Sequence, residues 1–195
     1  MTISNGYATL DEFKTWQRIT STDASDDTLI EGLVELASRF IDAETKRTFY
    51  ARSETHYFDV PEGRELTLDD DLLTVTTLTN GDTTVLTSTY YNLIPKNKAP
   101  YYAIRLKETS AYSWSENSSG NTEYVISVAG TWGYSATAPA DIKNACLMIV
   151  ASAYNRRAGE NQTGVARITA AGVVITPEDI PSSAWSIIRG YRKHL

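Results

Sequence analysis

A chain of 195 residues, 42% hydrophobic and 22% charged, has the balance of a globular protein of one domain, or of one domain carrying an insertion. Its formal net charge of −6 argues against broad binding to DNA or to an anionic membrane, where a basic face supplies the affinity. The single cysteine, Cys146, excludes a disulfide or a thiolate metal cluster within one chain.

The first fifty residues are helical in pattern. Thr9 and Glu12 form a capping box ahead of Phe13, Trp16 and Ile19, which predicts a short helix from Leu10 to Arg18. The polar stretch from Thr20 to Asp27 breaks it. Asp26 and Asp27 then place negative charge where a helix start has free N–H groups. Leu29, Ile30, Leu33, Leu36, Ala37, Phe40 and Ile41 recur at spacings of three and four, the mark of an amphipathic helix ending near Lys46-Arg47.

From Phe49 to Tyr134 the composition turns to Thr, Tyr and Val with repeated turn signals, which predicts a β block. The expected strands run over 54–60, 65–68, 73–79, 83–87, 90–94, 101–106 and 124–131. Asn80-Gly81 predicts a tight hairpin with positive φ at both residues. Further reversals are expected at Pro61-Glu62-Gly63 and from Pro95 to Pro100. The Ser-, Asn- and Gly-rich stretch 113–122 reads as an exposed loop.

Helix returns from Pro139 to about Arg157, with Gly159 as its stop. Inside it Ala145-Cys146-Leu147-Met148-Ile149-Val150-Ala151 has no polar side chain. At about 3.6 residues per turn such a run faces every direction, so the helix must be covered on all sides. It lies either at the centre of a helical layer or against a neighbouring subunit, which makes Ala145, Met148, Ile149 and Tyr154 interface or core residues. The Gly-flanked segment 159–176 is either a small hairpin or an arm that orders on a partner. A last helix, from Pro177 or Ser182, carries Trp185, Ile188 and Tyr191 on one stripe and ends in the basic patch Arg189, Arg192, Lys193 and His194. The fold class is therefore α+β. Two N-terminal and two C-terminal helices make a bundle, with an antiparallel β insertion between them. The division runs 1–50 helical, 51–134 β insertion, 135–176 core helix and arm, and 177–195 terminal helix.

Catalytic chemistry finds little support. The two histidines, His56 and His194, lie in a predicted strand and beside the terminus, which suits neither a His metal site nor a Ser/His/Asp triad. There is no phosphate-binding Gly-rich loop. Asp69-Asp70-Asp71 lacks the spacing of a calcium loop and reads as a solvated turn. Glu160 and the other lone carboxylates have no assignable acid/base partner. The aromatics Tyr90-Tyr91, Tyr101-Tyr102, Tyr112 and Trp114 offer either a stacking face for a sugar or single strand, or, as the acidic balance favours, alternate residues filling one face of a sheet. No apolar run approaches the roughly 18 residues of a membrane span. The opening Met1-Thr2-Ile3-Ser4-Asn5 lacks the basic-then-apolar order of a signal peptide, so a cytoplasmic protein with no membrane association is expected.

The order of segments resembles a known family. The opening Tyr7-Ala8-Thr9-Leu10-Asp11-Glu12-Phe13-Lys14 is followed by the helix from Asp26 to Arg47 and Phe49-Tyr50. Then come the strand end Gly130-Thr131-Trp132-Gly133-Tyr134, the helix start Pro139-Ala140-Asp141-Ile142 and the exit Tyr154-Asn155-Arg156-Arg157. Together these are similar to the head-tail connector (adaptor, or head completion) proteins of tailed bacteriophages. The stretch from Glu54 to Tyr124 is longer and richer in strand than a minimal connector needs.

The resemblance implies a structural virion protein with no enzymatic activity and no cofactor. It implies a ring, usually a dodecamer, beneath the portal protein, extending the DNA channel and docking the stopper or tail-completion protein. Genomic DNA would pass through without sequence-specific binding. The protein would occupy the host cytoplasm during assembly and then the virion neck. Related adaptors set their C-terminal segment against the portal, which by position points to Trp185, Ile188 and Tyr191 as apolar anchors and Arg189, Arg192 and Lys193 as a charged rim. An acidic subunit repeated around a channel would repel phosphate within about 8 Å at physiological salt. The alternative is a β-rich module that recognises a glycan or protein in a virion or cell-surface assembly.

Overall fold

The computed structural model describes residues 3–158, 168–169, 172–173 and 180–193. The fold is α+β, and the chain divides into a helical unit, residues 1–47 with 138–195, and a β unit, residues 48–137.

The helical unit contains α1 (Leu10–Gln17), α2 (Asp27–Thr45), α3 (Ala140–Ala158) and α4 (Ser182–Tyr191). Helix α1 starts as its capping box predicts: the Thr9 hydroxyl accepts the Glu12 N–H, and the Glu12 carboxylate accepts the Thr9 N–H. It ends at Arg18, whose left-handed backbone closes the last turn on Lys14. The acids at the start of α2 do more than face its N–H groups. Asp27 pairs at 2.6 Å with the buried Lys14 of α1, and Asp26 accepts the Tyr154 hydroxyl of α3 at 2.8 Å. Lys14 also donates to the carbonyls of Ser21 and Asp23, which fixes the polar connection between α1 and α2. A buried ammonium is tolerable there because each of its bonds is charge-assisted.

The apolar run of α3 is enclosed by α1, α2 and α4. Ala145, Cys146, Leu147, Ile149 and Val150 are buried, and Met148 and Ala151 are half-buried. Most of the run is therefore core of the helical unit. Helix α2 departs from expectation in the other direction. Ile30, Leu33, Ala37 and Ile41 are buried as its periodicity predicts, but Leu36 is 40% exposed and Leu29 and Phe40 only half-buried. Between α3 and α4, Ile168–Thr169 (β7) and Gly172–Val173 (β8) pair antiparallel, as a small hairpin would; the other residues of that arm, including Gly159 and Glu160, lie outside the described residues.

The β unit is a six-stranded antiparallel sheet of order β1-β6-β2-β5-β4, with β3 paired to β2. Its strands are β1 (Arg52–Phe58), β2 (Glu65–Thr79), β3 (Val85–Leu86), β4 (Tyr91–Ile94), β5 (Tyr101–Leu106) and β6 (Ile126–Trp132). The two strands expected over 65–68 and 73–79 are one. Asp69-Asp70-Asp71 is not a solvated turn but a stretch of β2, at the register shift between Thr67 and Leu72. There Asp70 takes a hydrogen bond from Arg52 and Asp71 is 3% exposed. A run of acids inside a strand is possible because the bulge re-aims successive side chains and Arg52 neutralises one of them.

The hairpin at Asn80-Gly81 forms, but its left-handed residue is Thr83, with φ 69°, not Asn80 or Gly81. The Asn80 N–H bonds the Thr84 carbonyl, and the Asn80 side chain is spent on Ser113 and Ser115. Gly81 is required for space: a Cβ there would lie 2.1 Å from the Ser115 carbonyl oxygen. This pins the near end of the expected exposed loop, where Trp114 is buried and donates its indole N–H to Arg64. The tip, Ser118 to Gly120, is exposed.

The segment Gly130 to Tyr134 shows why it is glycine-punctuated. A Cβ at Gly130 would lie 2.2 Å from the Thr74 carbonyl oxygen, and one at Gly133, with φ 132°, 2.3 Å from that of Tyr50. The Tyr134 N–H then bonds the Thr48 carbonyl at 2.7 Å and its ring meets Phe49 edge-on, which closes the unit near its two ends.

Candidate functional site

The residues singled out on α3 are spent inside the helical unit. Ala145 and Ile149 are core. Met148 is half-buried and accepts the Ser183 hydroxyl through its sulfur, tying α3 to α4. Tyr154 meets Phe13 edge-on at 5.5 Å while its hydroxyl serves Asp26. Cys146 lies 3.7 Å from Ser38, and burial pushes its thiol up to about 12, so at neutral pH it stays protonated and is no nucleophile. At the surface of the same unit, Lys143 binds Glu12 at 2.5 Å. Partial burial pushes the Glu12 carboxyl up, but the bonds from Lys143 and Thr9 outweigh it and hold the group below its ordinary value.

Helix α4 is also docked on its own unit. Ala184 and Ile188 are buried, so Ile188 does not point outward as an anchor. The Trp185 ring lies edge-on to Phe40 at 5.7 Å, and the Arg189 guanidinium sits 5.6 Å above it. The Tyr191 carbonyl accepts from Arg47, Arg192 binds Glu44 at 2.8 Å, and the Lys193 N–H bonds the Thr45 carbonyl. The outward surface of α4 consists of Ser182, Ser183, Ser186, Arg189 and Gly190, with Arg192 just beyond. Of the basic patch, Arg189 and Arg192 are exposed and Lys193 is half-buried, while His194 lies outside the described residues.

The β unit assembles no reactive cluster from the residues suspected of one. His56 lies between Asp69 and Glu54, at 2.9 and 3.3 Å, and against Trp132. Among the described residues no group of three or more His, Cys, Asp or Glu side chains is placed to hold a metal ion. The aromatics divide rather than gather. Tyr91 is nearly buried, and burial pushes its hydroxyl up. Tyr90 packs edge-on to Tyr112 at 4.7 Å, and Tyr102 is exposed. Tyr101 borders an open groove of about 420 Å³ with Tyr91, Asn92 and Lys96.

Sequence reasoning missed two features here. The Lys14–Asp27 pair joins α1 to α2 at a position where a lone lysine on a helix reads as solvated. The exposure of Leu36 on α2 is the other, because spacing alone does not separate a wide buried face from a buried face with an exposed one beside it.

A helical unit carrying an antiparallel sheet insertion is the class of protein the fold defines. Within that class the chain belongs to the head completion protein family, which it matches over residues 7–194. No curated protein matches it. Solved structures share the fold along its whole length. A chain from the neck of the empty gene transfer agent particle, computed with C6 symmetry, gives a TM-score of 0.61 at 15% identity, covering 100% of this chain and 94% of that one. One from the neck of the native particle, computed with C12 symmetry, gives 0.60 at 17% identity, with 100% and 93% covered. A third, from the virion of the native particle, gives 0.59 at 18% identity, with 100% and 94% covered.

Proposed function

We propose that the chain is an adaptor of the virion neck, whose copies form a dodecameric ring beneath the portal. The ring extends the DNA channel and presents the next docking surface to the stopper or tail-completion protein. The observation that carries this reading is membership of the head completion family across nearly the entire chain. The twelvefold symmetry used for one similar neck structure supports the copy number. The net charge of −6 suits a subunit past which DNA moves without adhering.

The portal-facing surface in this reading is the outer side of α4. Arg189 and Arg192 supply its charge, Trp185 and Tyr191 its partly covered aromatic edges, and Lys193 its rim. Ile188 contributes indirectly, by seating the helix on α3 and α2. The protein requires no cofactor and no membrane, and it joins filled heads in the host cytoplasm.

Heads assembled without this chain provide the test. Adding the native protein to them is expected to restore tail joining and DNA retention. Heads that hold DNA and accept tails equally well without it would overturn the proposal.

A further inference from the structure

Helix α2 carries a second apolar stripe that its own unit covers only in part. Leu29, Gly32, Leu36, Phe40 and Ala43 follow at spacings of three and four, which keeps them on one side of the helix. Ile30, Val34, Ala37 and Ile41, about 125° further round the helix, are core, none of them more than 1% exposed. One flank of α2 is occupied by the opening residues, where the Ser4 N–H bonds Glu35 and the Tyr7 N–H bonds Ser38. The other is occupied by α4, through Trp185 on Phe40 and Arg192 on Glu44. Between those flanks Leu36 and Ala43 are exposed and Leu29 is half-buried, and a Cβ built on Gly32 meets nothing within 4 Å. The result is a notch over Gly32, walled by Leu29 and Leu36. Its rim is acidic, with Glu31 and Glu35 beside it and Arg39 turned onto Glu35, Asp42 and the Asn5 carbonyl.

The same chain presents a matching projection. Trp16 of α1 is 46% exposed, and Arg18, also exposed, follows at the helix cap. A chain cannot seat its own Trp16 in its own notch. Lys14 fastens α1 to Asp27, which lies about 140° around α2 from Gly32 at 100° per residue. A ring needs two different, complementary patches on each subunit, and an aromatic wedge with a cation beside it complements an open notch with an acidic rim in both shape and charge.

We propose that the notch over Gly32 receives Trp16 of a second copy, with Arg18 of that copy on the rim formed by Glu31 and Glu35. Repeated head to tail, this contact forms the ring. The inference rests on the ring reading above and names the surfaces that build it.

The test uses the full chain assembled on portal-bearing heads, with ring formation and contact read separately. Electron microscopy reports whether a ring is present. Mild oxidation of the double variant Trp16→Cys, Gly32→Cys reports whether the two patches meet. Cys146 is buried with a raised thiol and stays out of the reaction. The expected result is a ladder of covalently linked copies, absent from a Trp16→Cys, Ser53→Cys control. Gly32→Lys, which fills the notch without touching the fold, is expected to melt at or above the temperature of the native chain and to lose the ring. A ring that forms while the 16–32 pair links no better than the control, or while Gly32→Lys assembles as the native chain does, overturns this contact and leaves the adaptor reading intact. Absence of any ring with the native chain overturns both.

Discussion

The imidazole of His56 lies flat on the indole of Trp132, with ring centroids 3.9 Å apart and planes 12° from parallel. The indole N–H donates to the Glu54 carbonyl at 3.1 Å, and the imidazole nitrogens face Asp69 and Glu54. One wholly buried tryptophan thus joins β1, β2 and β6, and the histidine is spent on structure. Trp132→Ala is expected to destabilise the protein by about 3–5 kcal/mol. Trp132→Phe keeps most of the packing but leaves the Glu54 carbonyl without its donor, for about 1–3 kcal/mol. Urea unfolding measures both, and a Trp132→Phe midpoint equal to that of the native chain would show that the hydrogen bond contributes nothing.

The enclosure of α3 predicts a sharp contrast between neighbouring positions. Ala145→Glu buries an unpaired carboxylate and is expected to cost on the order of 3–5 kcal/mol. Asn144→Glu, one residue earlier and exposed, is expected to stay within about 0.5 kcal/mol of the native chain. Thermal melts of the two variants decide it. Native behaviour of Ala145→Glu would mean that the run is reached by solvent.

Glu12 sets a pH dependence. Its folded-state carboxyl is held below the ordinary value of 4.5, so the pair with Lys143 contributes stability that is fully present above about pH 4.5 and is lost as pH falls through the folded-state value. The pair is more than a third exposed, so the contribution is small and salt-sensitive. The stability difference between native protein and Glu12→Gln is therefore expected to be largest near neutrality and to shrink as the solution is acidified. A difference that grows on acidification would contradict the assignment.

On α4 the two kinds of residue are expected to separate. Ile188→Ala should cost about 2–5 kcal/mol by opening a cavity against α3 and α2. Arg189→Glu removes the cation over Trp185 and puts an acid in the last turn of α4, for about 0.5–2 kcal/mol, less than Ile188→Ala, while weakening attachment to portal rings. Co-sedimentation with portal rings, beside a thermal melt, separates the effects. Undiminished attachment of Arg189→Glu would remove α4 from the docking surface.

The sequence announced its structure most clearly where a local rule had a single outcome. Thr9 with Glu12 marked the start of α1 because the two side chains cap each other within one turn. The period of α2 marked Ile30, Leu33, Ala37 and Ile41, which it buries, but did not separate them from Leu36, which it exposes. The β insertion itself showed as a change in composition. What stayed hidden depended on distant partners. Asp69-Asp70-Asp71 reads as a turn until Arg52 and the bulge in β2 are known. Gly81 reads as a residue chosen for positive φ until the Ser115 carbonyl is found against it. The run from Ala145 to Ala151 demands cover on every side but cannot say whose. Trp185, Ile188 and Tyr191 share a stripe whether they face a portal or α2 and α3, and only the fold assigns Ile188 to the core. The projection at Trp16 and the notch at Gly32 belong to separate helices, and nothing local links them.

The most direct test of the central claim is electron microscopy of the purified protein mixed with portal rings of its own virus. An added ring is expected on the face of the portal that leads toward the tail, one copy per portal subunit, with α4 against the portal. Portal rings that remain bare at saturating protein would contradict it.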